Sequence, residues 1–357
     1  MKFIHIADVH LGAVPDSNMP WGAEREKEIW ESLRRVISAC NEHQVELLLI
    51  AGDLFHRQPL VRELKEANYC FSKLTTAQVV LMAGNHDYIG ARSYYPDFEW
   101  EDRVHMFLKD QMGTVYLPEI NTEVYGFSYY TRDILEPRYD EIRPFHRERV
   151  NILLAHGGDE KNIPINRRRL AEAGFDYVAL GHIHKPELIG RNMAYSGSLE
   201  PLDRNETGER GYILGEITEE AGDESRRTRI GFVPSAIRQY QRMVLPVTPE
   251  TTNGALMDQA EEIIDNNGRQ HIYQFLLQGL RDEHIHFDVQ AIHGLGNVLE
   301  VIDRTVPDYD FDALYRENAD NIIGRFIRSI KESKEPEEIA KKALYYGIEA
   351  LLGARET

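Results

Sequence analysis

At 357 residues, the chain can bury one substantial core and still carry a smaller second unit. Its 59 acidic against 41 basic side chains leave a formal charge of −18. That balance argues against non-specific wrapping of nucleic acid, which draws on a basic excess, yet leaves room for a nucleic-acid enzyme whose positive field comes from bound cations.

Phe3 to Ala7 reads as a first strand, followed directly by Asp8-Val9-His10. Residues two apart on an extended segment face the same way, so Asp8 and His10 can converge, or they can be a strand-end Asp beside an unrelated His. Glu24 to Glu42 has the spacing of an amphipathic helix, with Ile29, Leu33, Val36, Ile37 and Cys40 on one face. Val45 to Ala51 is a short apolar run, unbroken after Glu46, suited to a strand covered on both faces. It ends in Gly52-Asp53, and open α/β sheets place their chemistry beyond such strand tips. Taken alone, this is also what an ordinary turn Asp looks like.

Leu60 to Leu74 is a second helix whose stripe (Leu64, Ala67, Phe71) reads as plain core. Gln78 to Met82 is a third strand, ending in Ala83-Gly84-Asn85-His86-Asp87. Residues 91–146 are less regular and rich in aromatics, fit either for base stacking or, more simply, for core packing. Val150 to Ala155 and Tyr177 to Leu180 are further strands, tipped by His156-Gly157-Gly158 and Gly181-His182-Ile183-His184. Thr218 to Ser225 has the composition of a hairpin turn or surface loop.

Around Arg238 the character changes. A strand at Tyr240 to Val247, a helix over Asn253 to Asn266, a strand from His271 to Leu280, a short helix near Val289 and a strand from Asn297 to Ile302 make a β-α-β-α-β order. That order suggests a small second domain. Pro336 sits where a first helical residue would, and the stripe Ile339, Leu344, Ile348, Leu351 behind it either packs on the body or faces a partner. The expected division is residues 1–238, 239–334 and a C-terminal helix over 335–357. No apolar run approaches the ~18–20 residues of a spanning helix, and Met1-Lys2 leads into a strand rather than a secretory leader. Cys40 and Cys70 form no ligand-like pair, so a cytoplasmic protein with buried thiols is expected.

The strand tips together supply Asp8, His10, Asp53, Asn85, His156, His182 and His184. Nitrogen and carboxylate ligands without thiolates suit manganese, iron or zinc. The set is too large for one ion and fits two ions sharing a bridging carboxylate. Such a pair clamps a phosphate and lowers the pKa of a water enough to make a nucleophile near neutral pH. Two divalent ions outweigh two aspartates, so the site stays attractive to a phosphodiester on an acidic protein.

In order and spacing, Asp8-x-His10, Gly52-Asp53, Gly84-Asn85-His86-Asp87, His156 and Gly181-His182-x-His184 resemble the motifs of the calcineurin-like metallophosphoesterases. Within that superfamily, Gly52 to His56, Phe175 to His182 and Tyr195-Ser196-Gly197-Ser198 resemble the SbcD-type DNA repair nucleases. The resemblance implies an α/β fold, a two-sheet β-sandwich flanked by helices, with a small α+β domain that caps the site and touches DNA. It implies that Asp8, His10, Asp53 and His184 hold one ion, and Asp53, Asn85, His156 and His182 the other, with Mn²⁺ the first choice over Fe or Zn. His86 would stabilise or protonate at the scissile phosphate, Asp87 would orient His86, and His56 would help position the phosphate.

The implied activity is a manganese-dependent 3′-5′ DNA exonuclease, with endonuclease capacity open, acting in double-strand-break repair. The implied partners are DNA ends, a second copy of the chain and an SMC-like coiled-coil ATPase, with no membrane. Lys185, Arg204 and Arg210 lie near the motifs and are candidate DNA contacts. The run Arg167-Arg168-Arg169 reads as a solvated helix face or a phosphate contact, and His284 with His286 as a solvated strand or loop. Two alternatives stand beside the nuclease: a phosphatase or small-molecule phosphodiesterase of the same superfamily, and an inactive scaffold for the ATPase.

Overall fold

The computed structural model describes residues 1–219 and 226–353. The chain divides into a unit over Met1–Tyr240 and another from Gln241 onward.

The first unit is built on two six-stranded sheets. In the first sheet β1 (Lys2–Ile6), β2 (Leu47–Ala51), β3 (Gln78–Met82) and β4 (Val104–Met106) run parallel. The second sheet contains β5 (Gly113–Leu117), β6 (Thr122–Gly126), β7 (Val150–His156), β8 (Tyr177–Gly181), β9 (Glu187–Ile189) and β10 (Met193–Tyr195), in the order β5-β6-β7-β8-β10-β9. A hairpin of β11 (Gly211–Glu219) and β12 (Arg226–Pro234) returns to the first sheet, where β11 pairs antiparallel with β1. The loop expected at Thr218 to Ser225 therefore joins two paired strands, and residues 220–225 lie outside the described residues.

The alternation along β2 shows why its sequence is apolar at every position. Leu48 and Ile50 pack with Ile29, Leu33 and Val36 of α1 (Gly22–Glu42) and with Leu64 and Phe71 of α2 (Val61–Phe71). Leu47, Leu49 and Ala51 point the other way, into a core shared with Ile152 and Leu154 of β7 and Tyr177 and Ala179 of β8. Helices on one face and a second sheet on the other leave no solvent side. Fully burying each such side chain contributes about 1.5–3 kcal/mol. On the far face of the second sheet, Tyr125, Phe127, Tyr129 and Tyr139 are buried with Leu170 of α3 (Arg167–Ala171), so the aromatic stretch is mostly core.

The second unit has one three-stranded sheet, β13 (Tyr240–Val247), β14 (Ile272–Arg281) and β15 (Val298–Pro307), in that order. Its core joins Leu245, Phe275 and Leu277 to Leu256, Ala260 and Ile264 of α4 (Asn253–Asn267) and Ile292 of α5 (Val289–His293). Thr252 caps α4 by accepting from Ala255 N. Two helices not expected from the sequence follow, α6 (Phe311–Glu317) and α7 (Ile322–Lys331), N-capped by Asp310 and Asn321. The last helix, α8 (Glu337–Gly353), buries Ile348 against Ile323 and Ile327 of α7 and leaves Ile339 exposed.

Candidate metal centre

Parallel strands put their carboxyl ends on the same side, so the tips of β1, β2, β3, β7 and β8 gather at one end of the sandwich. Backbone contacts lock the tips together. Asp8 N donates to Gly52 O and His10 N to Asp53 O; His86 N donates to Asp53 Oδ1 at 2.9 Å and His182 N to the Asp8 carboxylate. Asp8, His10, Asp53 and His182 all have positive φ (50°, 54°, 50° and 93°), which for a residue with a Cβ stores about 1–3 kcal/mol. Such strain persists only where surrounding contacts over-determine it, and here it falls on the polar tips themselves.

The flanking glycines allow this crowding. A Cβ at Gly181 would stand 1.9 Å from Ala51 O, and one at Gly84 2.3 Å from Asp53 Oδ1. The Tyr195 to Ser198 stretch supports the last tip: Ser198 N donates to His184 O, and Gly197 lies too close to that carbonyl for a side chain.

Donor atoms of Asp8, His10 and His184 lie within 4.8 Å of one another, as do those of Asp8, Asp53 and His156. Asn85 Oδ1 stands 2.9 Å from His156 Nε2 and 3.1 Å from His182 Nδ1. Asp53 Oδ2 lies between the two groups, 3.8 Å from His10 Nε2 and 3.5 Å from His156 Nε2. The His10 and His184 Nε2 atoms meet at 3.0 Å, where at most one proton fits. His156 Nδ1 donates to Ala51 O at 2.8 Å, which leaves Nε2 facing the centre. A pocket of converging lone pairs, rich in imidazole and carboxylate and free of thiolate, fits borderline-to-hard divalent cations. Two cations sharing Asp53 match its division into two sets.

The family model for calcineurin-like phosphoesterases matches residues 1–186, which carry all of these tips. The chain is a member of the calcineurin-like phosphoesterases. These are hydrolases of phosphate esters that bind a dinuclear divalent metal centre, and the two-sheet α/β architecture is theirs. An uncharacterized metallophosphoesterase of Bacillus subtilis (strain 168), YhaO, is 29% identical over 239 residues, which span 61% of this chain and 58% of the relative. The DNA double-strand break repair protein Mre11 of Methanocaldococcus jannaschii is 33% identical over 224 residues, 58% of either chain. Mre11 of Methanopyrus kandleri is 28% identical over 248 residues, 61% of this chain and 54% of that one. The phosphoesterase thus spans little more than half the length of these relatives.

Charge in the phosphoesterase site is set by burial and by close partners. Burial opposes the charge on Asp53, but the adjacent His156 prevails and holds the carboxyl far below its ordinary range; burial likewise opposes His156, which Asp53 raises to about 9. Burial raises Asp8, which His184 and His156 partly offset. Burial, with neighbouring histidines, lowers His10 and His182 and keeps them neutral, the form that ligates metals. His86 is half-buried at the rim. Its Nδ1 meets His56 O at 3.1 Å, its ring stacks on His56, and the two lie beside His10.

Two sequence-based expectations need correction. Asp87 does not reach the His86 ring. Its Oδ1 accepts from Gly84 N and its Oδ2 from Phe55 N and Tyr95 Oη, so it ties the Asp53 and Asn85 loops together from beneath. Burial, then Asp53, pushes it up to about 7. Arg210 is no surface contact either: it is buried at 4% exposure and donates to Thr207 O and Glu209 O. Lys185 and Arg204 remain solvent-accessible. Arg167, Arg168 and Arg169 each pair with a glutamate (Glu187, Glu172 and Glu141), and His284 and His286 lie exposed in a loop.

Three partners escaped the sequence reading. Asp159 meets His182 Nε2 at 2.7 Å, Glu206 meets His184 Nδ1 at 2.6 Å, and Tyr95 donates to Asp87 at 2.7 Å. Asp159 follows the tip of β7 by only three residues, a signal that was there to use. Glu206 lies in a loop with no motif around it.

Proposed function

We propose that this phosphoesterase is an SbcD-type, manganese-dependent DNA nuclease, a 3′-5′ exonuclease acting on DNA ends in double-strand-break repair, in the cytoplasm. The observation that carries the reading is the placement of His86 at the rim of the metal site, with Nδ1 anchored on a backbone carbonyl and Nε2 left for a substrate. The Mre11 relatives, aligned over 224 to 248 residues, support DNA as the substrate.

When bound, the two cations would supply positive charge to the phosphate and lower the pKa of the attacking water. Asp8, His10, Asp53 and His184 would hold one, and Asp53, Asn85, His156 and His182 the other. His86 Nε2 would stabilise the developing charge or give a proton to the leaving 3′ or 5′ oxygen. His56, stacked on His86, would fix the ring and add a second nitrogen at the phosphate. Asp87 keeps the two loops that carry these groups in register. Lys185 and Arg204 are the proposed backbone contacts, the second unit the cap that touches DNA, and α8 part of the surface for an SMC-like ATPase, in a complex built on a homodimer.

Digestion of end-labelled duplex and single-stranded DNA with Mn²⁺, alongside a nitrophenyl phosphate monoester, tests the reading. Shortening of DNA from the 3′ end, lost in His86→Ala, is expected. Monoester turnover with inert DNA would reject the nuclease in favour of a phosphatase or small-molecule phosphodiesterase; no turnover of either, with no ion bound, would leave a scaffold.

A further inference from the structure

The two histidines of Gly181-His182-Ile183-His184 present opposite ring nitrogens to the centre. His182 offers Nδ1, which faces Asn85, and His184 offers Nε2, which faces His10. In a neutral imidazole only one nitrogen carries the proton, and the other ligates; whichever nitrogen donates outward decides which lone pair points in. Here each outward nitrogen meets its own carboxylate.

The carboxylates are built alike, although one follows β7 and the other precedes β11. Asp159 accepts from Lys161 N and Asn162 N through Oδ1, both at 2.8 Å, and spends Oδ2 on His182 Nε2. Glu206 accepts from Leu202 N through Oε2 at 2.8 Å and spends Oε1 on His184 Nδ1. One oxygen of each is thus tied to its loop's backbone, and the other is aimed at a ring. Asp159 is exposed and Glu206 half-buried, and an untethered carboxylate at either place would satisfy its oxygens with water and choose no orientation. Tying one oxygen to a backbone amide removes that freedom.

We infer that Asp159 and Glu206 are positioning residues which select opposite tautomers in the two motif histidines, so that His182 ligates through Nδ1 and His184 through Nε2. This rests on the dinuclear reading of the site, not on DNA being its substrate. Neither carboxylate enters the ligand set. Each raises the basicity of the ring it orients, and carboxylate partners of metal-bound histidines are worth about 10–100-fold in metal affinity.

The full-length protein, labelled with ¹⁵N-histidine, stripped of metal and brought to a pH at which the ¹⁵N shifts show both rings neutral, reports the tautomers without any substitution. His182 should carry its proton on Nε2 and His184 on Nδ1; the reverse, or a rapid mixture at both rings, overturns the inference. Mn²⁺ titration of Asp159→Asn and Glu206→Gln by calorimetry should then show binding about 10–100-fold weaker, with the metal-free thermal midpoint close to that of the parent. In each variant the affected ring should become a tautomer mixture while the other keeps its own. Unchanged Mn²⁺ affinity with unchanged tautomers would show that the carboxylates are bystanders. Should a variant fold poorly, the tautomers of the parent protein still decide. If DNA is inert but Mn²⁺ binding responds as stated, the nuclease reading falls and this inference stands.

Discussion

In the first unit β2 and β7 are buried at every position, while in the second β13 alternates buried with solvent-facing residues. The doubly covered β2 is apolar throughout, whereas β13 carries Gln241 and Arg242, and the difference follows from what covers each strand. A sheet packed on both faces leaves little room along its strands for a polar group, and the buried His5 and Asn151 are each hydrogen-bonded. Asp8, Asp53, Asn85 and His182 therefore sit just past the strand tips, His156 ends β7, and parallel pairing brings these positions together. A sheet with one open face can spread its polar residues along that face, and nothing forces them to converge. Among the described residues, every group of three or more acidic, histidine or cysteine side chains close enough to hold a metal lies in the first unit. No described helix is long and apolar enough to cross a membrane.

The largest expected effect comes from the residue at the junction of the two donor sets. Asp53→Asn should weaken Mn²⁺ binding at both positions together by at least about 100-fold, beyond the loss expected for an outer partner. Calorimetry resolving a loss at only one position would show that Asp53 does not bridge. His86→Ala should keep its metal and lose about 10²–10⁴-fold in phosphodiester cleavage; full activity at unchanged metal content removes His86 from the chemistry.

Packing can be tested by the same comparison. Gly181→Ala should destabilise the first unit by about 3 kcal/mol or more, because its Cβ would collide with a backbone carbonyl rather than a movable side chain. Ile264→Ala should cost the second unit about 2–5 kcal/mol. Both cysteines lie in the first unit, on α1 and α2, and burial pushes the Cys40 thiol up to about 12. Because that folded value lies above the ordinary ~8.5 of a thiol, the stability it contributes is whole below that pH and is lost as pH climbs toward 12. Thiol labelling at pH 8 should therefore be slow in Ile264→Ala, as in the parent, and faster in Gly181→Ala. Equal acceleration in both would show that the two units unfold as one. The smallest effect is Gly254→Ala in the first turn of α4, where the nearest neighbour of a Cβ is Thr252 Oγ1 at 3.9 Å; it should stabilise the second unit by at most about 1 kcal/mol, read by urea denaturation.

Legibility followed the reach of each interaction. The doubly covered strands announce themselves as unbroken apolar runs, and Gly181-His182-x-His184 and Gly84-Asn85-His86-Asp87 stand at their ends, so strand identity and the polar tips could be read directly. The α6 helix was missed because it is short and rests on its Asp310 cap; α7 does carry a readable stripe, Ile323, Phe326, Ile327 and Ile330 behind the Asn321 cap, and only its brevity hid it. Asp87 and Arg210 misled for a common reason. Proximity in sequence to a motif says nothing about the direction of a side chain, and the turn after β3 aims Asp87 away from His86, while the loop before β11 folds Arg210 onto its own carbonyls.

By itself the sequence determined which residues could serve, since the chemistry of aspartate, asparagine and histidine and the two-residue period of a strand are local properties. The tertiary structure alone decided which of their atoms meet. Parallel pairing in two facing sheets brought tips more than a hundred residues apart to one point, and the outward hydrogen bonds of His182 and His184 to Asp159 and Glu206 depend on loops whose paths no local pattern encodes. Direction is settled only when the backbone closes around the site, because a ring nitrogen or a carboxylate oxygen takes its role from what stands within about 3 Å of it.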